Sequence, residues 1–173
     1  MMDCKKALAA SDGDIDKAIE FLREKGLAAS AKKAGRIAAE GMAYAGVIDG
    51  MGVVVEVNAE TDFVGKNEKF VDFVKGVAAT VAANKPADLD ALMACKYAGS
   101  DRTVTEQQQE MVLVIGENIK VRRFARFADG VSVSYVHAGG KIGVLVNLET
   151  DLPAEKGEEV GKDVAMQIAA LNH

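Results

Sequence analysis

Several residue types that mark a function are scarce in this sequence. It has no tryptophan, and its 173 residues include only two cysteines and two histidines. Cys4 and Cys95 lie far apart and outside any CxxC spacing, which argues against a disulfide framework or a cysteine-rich zinc site. His137 and His173 have no cysteine cluster beside them, so a zinc site is not expected. Aromatic residues make up 5% of the chain, which is little for an RNA-stacking platform.

Net positive charge and long apolar runs are missing as well. The formal net charge is -5 and the pI is near 5.1, so a basic field over the whole protein is excluded, although a local basic patch stays open. No apolar run approaches the roughly 20 residues that a membrane-spanning helix needs. Both cysteines lie in apolar helical patterns typical of reduced, buried thiols. We therefore expect the protein to work in the cytoplasm.

Two short motifs imitate binding sites but lack essential positions. Residues 12–16 resemble the start of a calcium loop, yet Lys17 and Arg23 stand where glycine and glutamate are needed. Residues 139–143 suggest a phosphate loop, but Ile142 occupies the position of the magnesium-binding serine or threonine. No nucleophile–base arrangement is evident. We therefore expect no enzyme activity, no cofactor and no bound metal.

The N-terminal part has the pattern of two short helices, residues 3–10 and 14–26. Asp14 is a predicted N-cap and Gly26 a predicted stop. Two helices this short cannot bury a core between themselves, so we expect a preceding helix of the same domain to be missing. An alanine- and lysine-rich stretch follows, and it predicts a partly helical linker over residues 31–43.

From residue 44 onward, strand patterns occur in runs with helical patterns between them. Such segregation is typical of the α+β class with antiparallel sheets. We expect a first core subdomain over residues 44–128 and an incomplete second one over 129–173. The predicted strands are 44–58 (a hairpin turning at Asp49-Gly50), 119–127, 131–136 and 142–148, and the predicted helices are 70–84, 88–96, 105–115 and 155–171, the last with Val160, Val164, Ile168 and Leu171 on one side.

The junction between the first hairpin and the helix after it reads NAETDFVGKN, residues 58–67. It places a carboxylate, Asp62, directly beside an aromatic residue, Phe63. Two interpretations are open from these residues alone. In one, Phe63 covers the end of the core and Asp62 caps the following helix. In the other, the pair forms a tip that the protein presents to a partner.

Four stretches carry a resemblance to a known family. They are residues 1–41 and the motifs VNAETDFVGKNEKF, IGENIKVRRF and SYVHAGGKIGVLV. In this order, over essentially the whole chain, they resemble bacterial elongation factor Ts. The resemblance implies a partial N-terminal domain like the ubiquitin-associated fold over residues 1–30, lacking its first helix. It also implies an α+β core that stops within its second subdomain, and Gly65 departs from the alanine expected in the family motif.

The resemblance implies guanine-nucleotide exchange on elongation factor Tu, in its GDP-bound and nucleotide-free states. Thr61, Asp62, Phe63 and Val64 match the motif that contacts the partner and disturbs its magnesium site. His137 matches a second contact, although a half-exposed histidine at a hairpin explains it too. The chain itself is then expected to bind no nucleotide, nucleic acid or membrane.

Two other classes of function stay open. A ubiquitin-associated-like domain would suit a peptide-binding adaptor. An RNA-binding protein would use Lys32, Lys33, Arg36 and the arginines of residues 122–126. A steep dependence of binding on salt concentration would indicate phosphate contacts, and a shallow one a protein interface.

Overall fold

The structure, a computed structural model, describes residues 2–172. Within this range helices pack on antiparallel sheets, and the predicted α+β class is confirmed. The elements are α1 (Met2–Ala10), α2 (Ile15–Lys33), β1 (Glu40–Ile48), β2 (Met51–Ala59), a 3-10 helix (Asp62–Lys66), α3 (Glu68–Asn84), α4 (Leu89–Ala94), α5 (Val104–Ile115), β3 (Lys120–Phe127), β4 (Val131–His137), β5 (Ile142–Leu148) and α6 (Ala154–Leu171).

Helix α2 is longer than the sequence pattern predicts. Asp14 caps it as expected, accepting a hydrogen bond from the backbone N–H of Lys17 at 3.1 Å. The predicted stop at Gly26 is wrong, because the helix continues to Lys33. Gly26 is buried and faces the backbone of Gln109 in α5. Only residues 34–39 join the helix to the sheet.

The main core lies between a three-stranded sheet, in the order β1-β2-β3, and α3. The predicted hairpin turn is confirmed, with Asp49 and Gly50 both at positive φ. Strand β2 is central and buries Val53, Val55 and Val57, while Val54 is half-buried. The predicted face of α3 is fully buried against it, and its members are Phe70, Val74, Val77 and Val81.

Helix α5 ends where the chain turns toward the third strand of this sheet. A capping box between Thr103 and Glu106 starts the helix, and Gly116 ends it with a φ of 86°. Asn118 and Ile119, which follow directly, are both buried. The backbone around Glu117 is therefore fixed on both sides.

The second sheet contains β4 and β5, with α6 packed on one face. The predicted apolar side of α6 is not the packed one: Val160, Val164, Ile168 and Leu171 are exposed. The helix packs instead through small residues, because these allow a close approach to the strands. The packed residues are Gly157, Gly161, Ala165 and Ala169.

The hairpin of β4 and β5 lies against β1. The backbone N–H of Ala43 donates to the carbonyl of Gly140 at 2.7 Å, and Gly143 packs on Ala43.

The cysteines also differ from expectation. Cys4 is exposed, because α1 packs through Ala7 instead, and Cys95 at the end of α4 is half-buried. Within residues 2–172, no helix combines the length and apolar character needed to cross a membrane.

Candidate functional site

The loop between β2 and α3 places the four residues of the predicted motif in different environments. Phe63 is 78% exposed, which is unusual for a phenylalanine, and Asp62 beside it is also exposed. Thr61 is half-buried, whereas Val64 is only 4% exposed and belongs to the main core. The loop therefore presents a carboxylate and an aromatic ring from a buried base.

Neither Phe63 nor Asp62 has the structural task that the simpler interpretation gives it. Phe63 does not cover the core, because its ring is in solvent. The cap of α3 is Asn67, whose side-chain oxygen accepts from the backbone N–H groups of Lys69 at 3.0 Å and Phe70 at 3.4 Å. The interpretation of these two residues as core and cap is wrong.

The C-terminal side of the tip is fixed by packing and by the turn itself. Val64 fills the core, and its carbonyl accepts a hydrogen bond from the backbone N–H of Asn67 at 2.9 Å. Gly65 lies against the first residues of β1: a Cβ atom there would be 3.4 Å from the carbonyl oxygen of Gly41. An alanine would fit at this contact, so the glycine does not change the shape of the loop.

The N-terminal side of the tip is fixed by Glu117, which the sequence analysis did not single out. One of its carboxylate oxygens accepts from the backbone N–H groups of Glu60 and Thr61, each at 3.0 Å. The other accepts from the hydroxyl of Thr61 at 2.6 Å. The only sequence signal is a glutamate just after the helix-ending Gly116, which has no local reason for that position.

Asn118 and Arg36 add further bonds beneath the loop. Together with Glu60, Thr61 and Glu117 they form a junction. The backbone N–H of Asn118 donates to the Glu60 carboxylate at 2.7 Å, and its side-chain amide donates to the carbonyl of Arg36 at 2.7 Å. The Arg36 guanidinium is also paired with Glu60 at 3.5 Å. Three segments that are distant in sequence therefore meet under the loop.

His137 ends β4 and is exposed. Its Nδ1 atom lies 2.9 Å from the hydroxyl oxygen of Tyr135, a hydrogen bond that orients the ring. The turn after it contacts β1 at Ala43, whereas the loop of Phe63 contacts β1 at Gly41. Both predicted contact regions therefore adjoin the same short stretch of β1.

The arginines considered for RNA binding are engaged within the protein. Glu56 pairs with both Arg122 and Arg123, and Arg126 donates to the carbonyl of Ala82 at 3.3 Å. Within residues 2–172, no group of three His, Cys, Asp or Glu side chains is arranged to hold a metal ion. Phe63 is the most exposed phenylalanine of the described residues.

The comparisons with known proteins all match this chain to one family. A family model described as elongation factor TS matches residues 60–173, which include the loop and Glu117. Proteins named elongation factor Ts are 54% identical in Syntrophotalea carbinolica, 53% in Trichlorobacter lovleyi and 52% in Clostridium perfringens. Each match covers 99% of this chain and 58% of the relative, so the chain spans less than two thirds of their length.

Proposed function

The chain belongs to the elongation factor Ts family, and we propose that it is a guanine-nucleotide exchange factor for elongation factor Tu. In this role it works in the cytoplasm, in translation elongation, and releases GDP so that GTP can bind. The observation that carries the proposal is the 78% exposure of Phe63 at a loop tip that is held on both sides. A large exposed aromatic ring on a well-ordered loop is typical of an interface anchor.

The proposed mechanism is mechanical rather than chemical. In GTPases, GDP is held by a magnesium ion and by backbone and side-chain contacts to its phosphates. Phe63 enters an apolar pocket of the partner, and Asp62 accepts hydrogen bonds at its rim. Elements of the partner near the magnesium ion are displaced, and the nucleotide loses its contacts. Thr61 and Val64 hold the tip from inside this chain.

Thermodynamic linkage sets what such a factor must do. If nucleotide and factor each weaken the binding of the other, the two couplings are equal. The factor must therefore bind nucleotide-free elongation factor Tu more tightly than the GDP-bound form. Tip contacts that form only when the magnesium site is disturbed supply this difference. The chain itself needs no nucleotide site, and micromolar binding of GTP measured by calorimetry would contradict the proposal.

His137 is proposed as a second contact with the partner. Its region and the loop of Phe63 both adjoin residues 41–43 of β1. A contact at His137 would fix the orientation of the partner while the tip acts. His137→Ala should therefore weaken binding of the partner more than it lowers the maximal rate of GDP release.

A second candidate function is a peptide-binding adaptor. Apolar side chains on α1 and α2 favour it, because Leu8, Ile15 and Ile19 are exposed. The two functions differ in the residues they need. An adaptor loses its partner when Ile15 and Ile19 are replaced by serine, whereas Phe63→Ala leaves its binding intact.

The direct test is release of a fluorescent GDP analogue from elongation factor Tu, with and without this chain. We expect the chain to accelerate release and Phe63→Ala to slow the accelerated rate about thirtyfold, because truncating an anchor costs ~2 kcal/mol or more. Its melting temperature should stay unchanged, since the ring is exposed. The matched control is Phe127→Ala, a partly exposed phenylalanine at the end of β3. Equal loss in both variants, or no acceleration by the chain, contradicts the proposal.

A further inference from the structure

We propose that Glu117 is a positioning residue, whose carboxylate holds Asp62 and Phe63 in the geometry that nucleotide exchange requires. This inference rests on the proposed exchange function. It concerns a residue 56 positions away from Thr61 in sequence, in the loop between α5 and β3. Glu117 acts through the loop and does not itself touch the partner.

The argument starts from the number of donors that converge on this one side chain. Its carboxylate accepts two consecutive backbone N–H groups, from Glu60 and Thr61, together with the Thr61 hydroxyl. Hydrogen bonds to an ionised acceptor are about twice as strong as those between neutral groups. Three of them on two adjacent residues fix both the backbone direction and the rotamer of Thr61.

Glu117 can fix the loop because its own backbone is held. Gly116 ends α5 just before it, and Asn118 and Ile119 just after it are buried. Asn118 also donates back to Glu60 at 2.7 Å. Residues 60–61 and residues 117–118 are therefore linked by hydrogen bonds in both directions. Neither segment can shift without breaking several of them.

The tip depends on these hydrogen bonds because its own side chains contribute little packing. Phe63 and Asp62 are exposed, so the tip is held only through the residues that flank it. On one side Val64 is anchored in the core. On the other side the anchor is the carboxylate of Glu117. Without it, the chain before Asp62 gains freedom, and the ring no longer approaches the partner in one orientation, which lowers the rate because pre-organisation is lost.

Glu117→Gln tests the charge and the acceptor pattern with almost no change of shape. The amide keeps one oxygen but turns an NH₂ group toward either the backbone donors or the Thr61 hydroxyl. We expect the maximal rate of GDP release at saturating factor to fall at least tenfold. The half-saturating concentration should change less than threefold, because other contacts with the partner remain. Glu110→Gln on α5 is the matched control, since its carboxylate pairs with Arg102 away from the loop.

A merely structural role predicts a different result. If Glu117→Gln only unfolds part of the population, the half-saturating concentration rises and the maximal rate is unchanged. A double-mutant cycle adds a second discrimination. When Phe63→Ala is already present, Glu117→Gln should slow release much less than it does alone, because only Asp62 is then left to be positioned. Multiplicative effects of the two substitutions would overturn the proposal.

A measurement without the partner separates this inference from the proposed function. By hydrogen exchange, the amides of Glu60 and Thr61 should lose protection at least tenfold in Glu117→Gln, while those of α3 keep theirs. Unchanged protection of the two amides refutes the positioning role. If protection is lost but even the unaltered chain fails to release GDP, the positioning geometry stands and the exchange function fails.

Discussion

At the scale of single residues, neighbouring side chains of the loop differ sharply in solvent exposure. Phe63 and Val64 are adjacent, yet one is in solvent and the other in the core. The 3-10 helix makes this possible, because it has three residues per turn and successive side chains point about 120° apart. Phe63 and Lys66, three positions on, lie on the same outward face. A positive charge therefore accompanies the exposed ring.

Glu56 provides a prediction that depends on pH. Burial raises its pKa, but hydrogen bonds from Arg123 and Asn58 and the charges of Arg123 and Arg122 outweigh burial, so the pKa lies below its ordinary value of 4.5. The ionised carboxylate therefore stabilises the fold above that pH, and the contribution is lost as the pH falls through the folded-state pKa. Glu56→Gln should lower the melting temperature at pH 7 and have progressively less effect below pH 4.5.

The control for this prediction is Glu24→Gln, which replaces an exposed glutamate of α2. It should leave the melting temperature nearly unchanged at pH 3 and at pH 7. A deficit of Glu56→Gln that is equally large at pH 3 and pH 7 would contradict the assignment of the stabilisation to the ionised carboxylate.

The sequence could predict Asp62 and Phe63 as a possible tip but not what holds them. A carboxylate beside an aromatic ring at a strand–helix junction is a local signal that short-range reasoning can detect. Glu117 gives no such signal, because its partners, Glu60 and Thr61, lie more than 50 positions earlier. The packing of α5 on its neighbouring helices and the pairing of β3 with β2 bring these residues together.

At the scale of elements, periodicity predicts that a helix exists better than it predicts which side packs. The hydrophobic face of α3 is confirmed because valine and phenylalanine fill the space over a sheet. In α6 the same reasoning fails, because the helix lies so close to β4 that only glycine and alanine fit between them. Gly26 misleads for a different reason, since it lies within α2, facing α5, and does not end the helix.

The close approach of α6 predicts an unusual outcome for Gly161→Ala. Alanine raises helix propensity by about 1 kcal/mol relative to glycine. Here, however, the new Cβ atom would lie 2.5 Å from a methyl carbon of Val133 and 3.0 Å from its Cβ. We expect the substitution to lower the free energy of unfolding by about 1–2 kcal/mol, since overpacking outweighs propensity.

Gly26→Ala is the matched control within a helix. Its Cβ atom would have its nearest neighbour at 3.6 Å, the backbone oxygen of Gln109, which is an ordinary contact. This variant should be neutral or more stable in urea unfolding. If Gly161→Ala also proves stabilising, α6 does not approach β4 as closely as described.

At the scale of the whole molecule, the N-terminal helices are the least supported part. Helix α1 contacts mainly α2, and Leu8 and Ile19 are exposed. Helix α2 in turn packs on α5, where Arg23 pairs with Glu106 at 2.9 Å. A cavity of about 150 Å³ between these helices shows that the packing is incomplete.

We therefore expect a gradient of hydrogen-exchange protection, lowest in α1, intermediate in α2 and highest in α3. Arg23→Ala should accelerate exchange in α2 by up to about fivefold, as an exposed ion pair contributes at most ~1 kcal/mol. It should leave α3 unchanged. Equal protection of α1 and α3 would mean that the N-terminal helices are held as firmly as the core.

The junction under the loop also has a consequence for the order of folding. It joins Arg36 to Asn118 across 82 positions and Thr61 to Glu117 across 56. Closing such long spans costs chain entropy before any contact compensates for it, so this junction should form late, after the local hairpin of β1 and β2. During synthesis, Phe63 leaves the ribosome well before Glu117 does. A nascent chain therefore has the tip residues but no ordered tip until the sheet is complete.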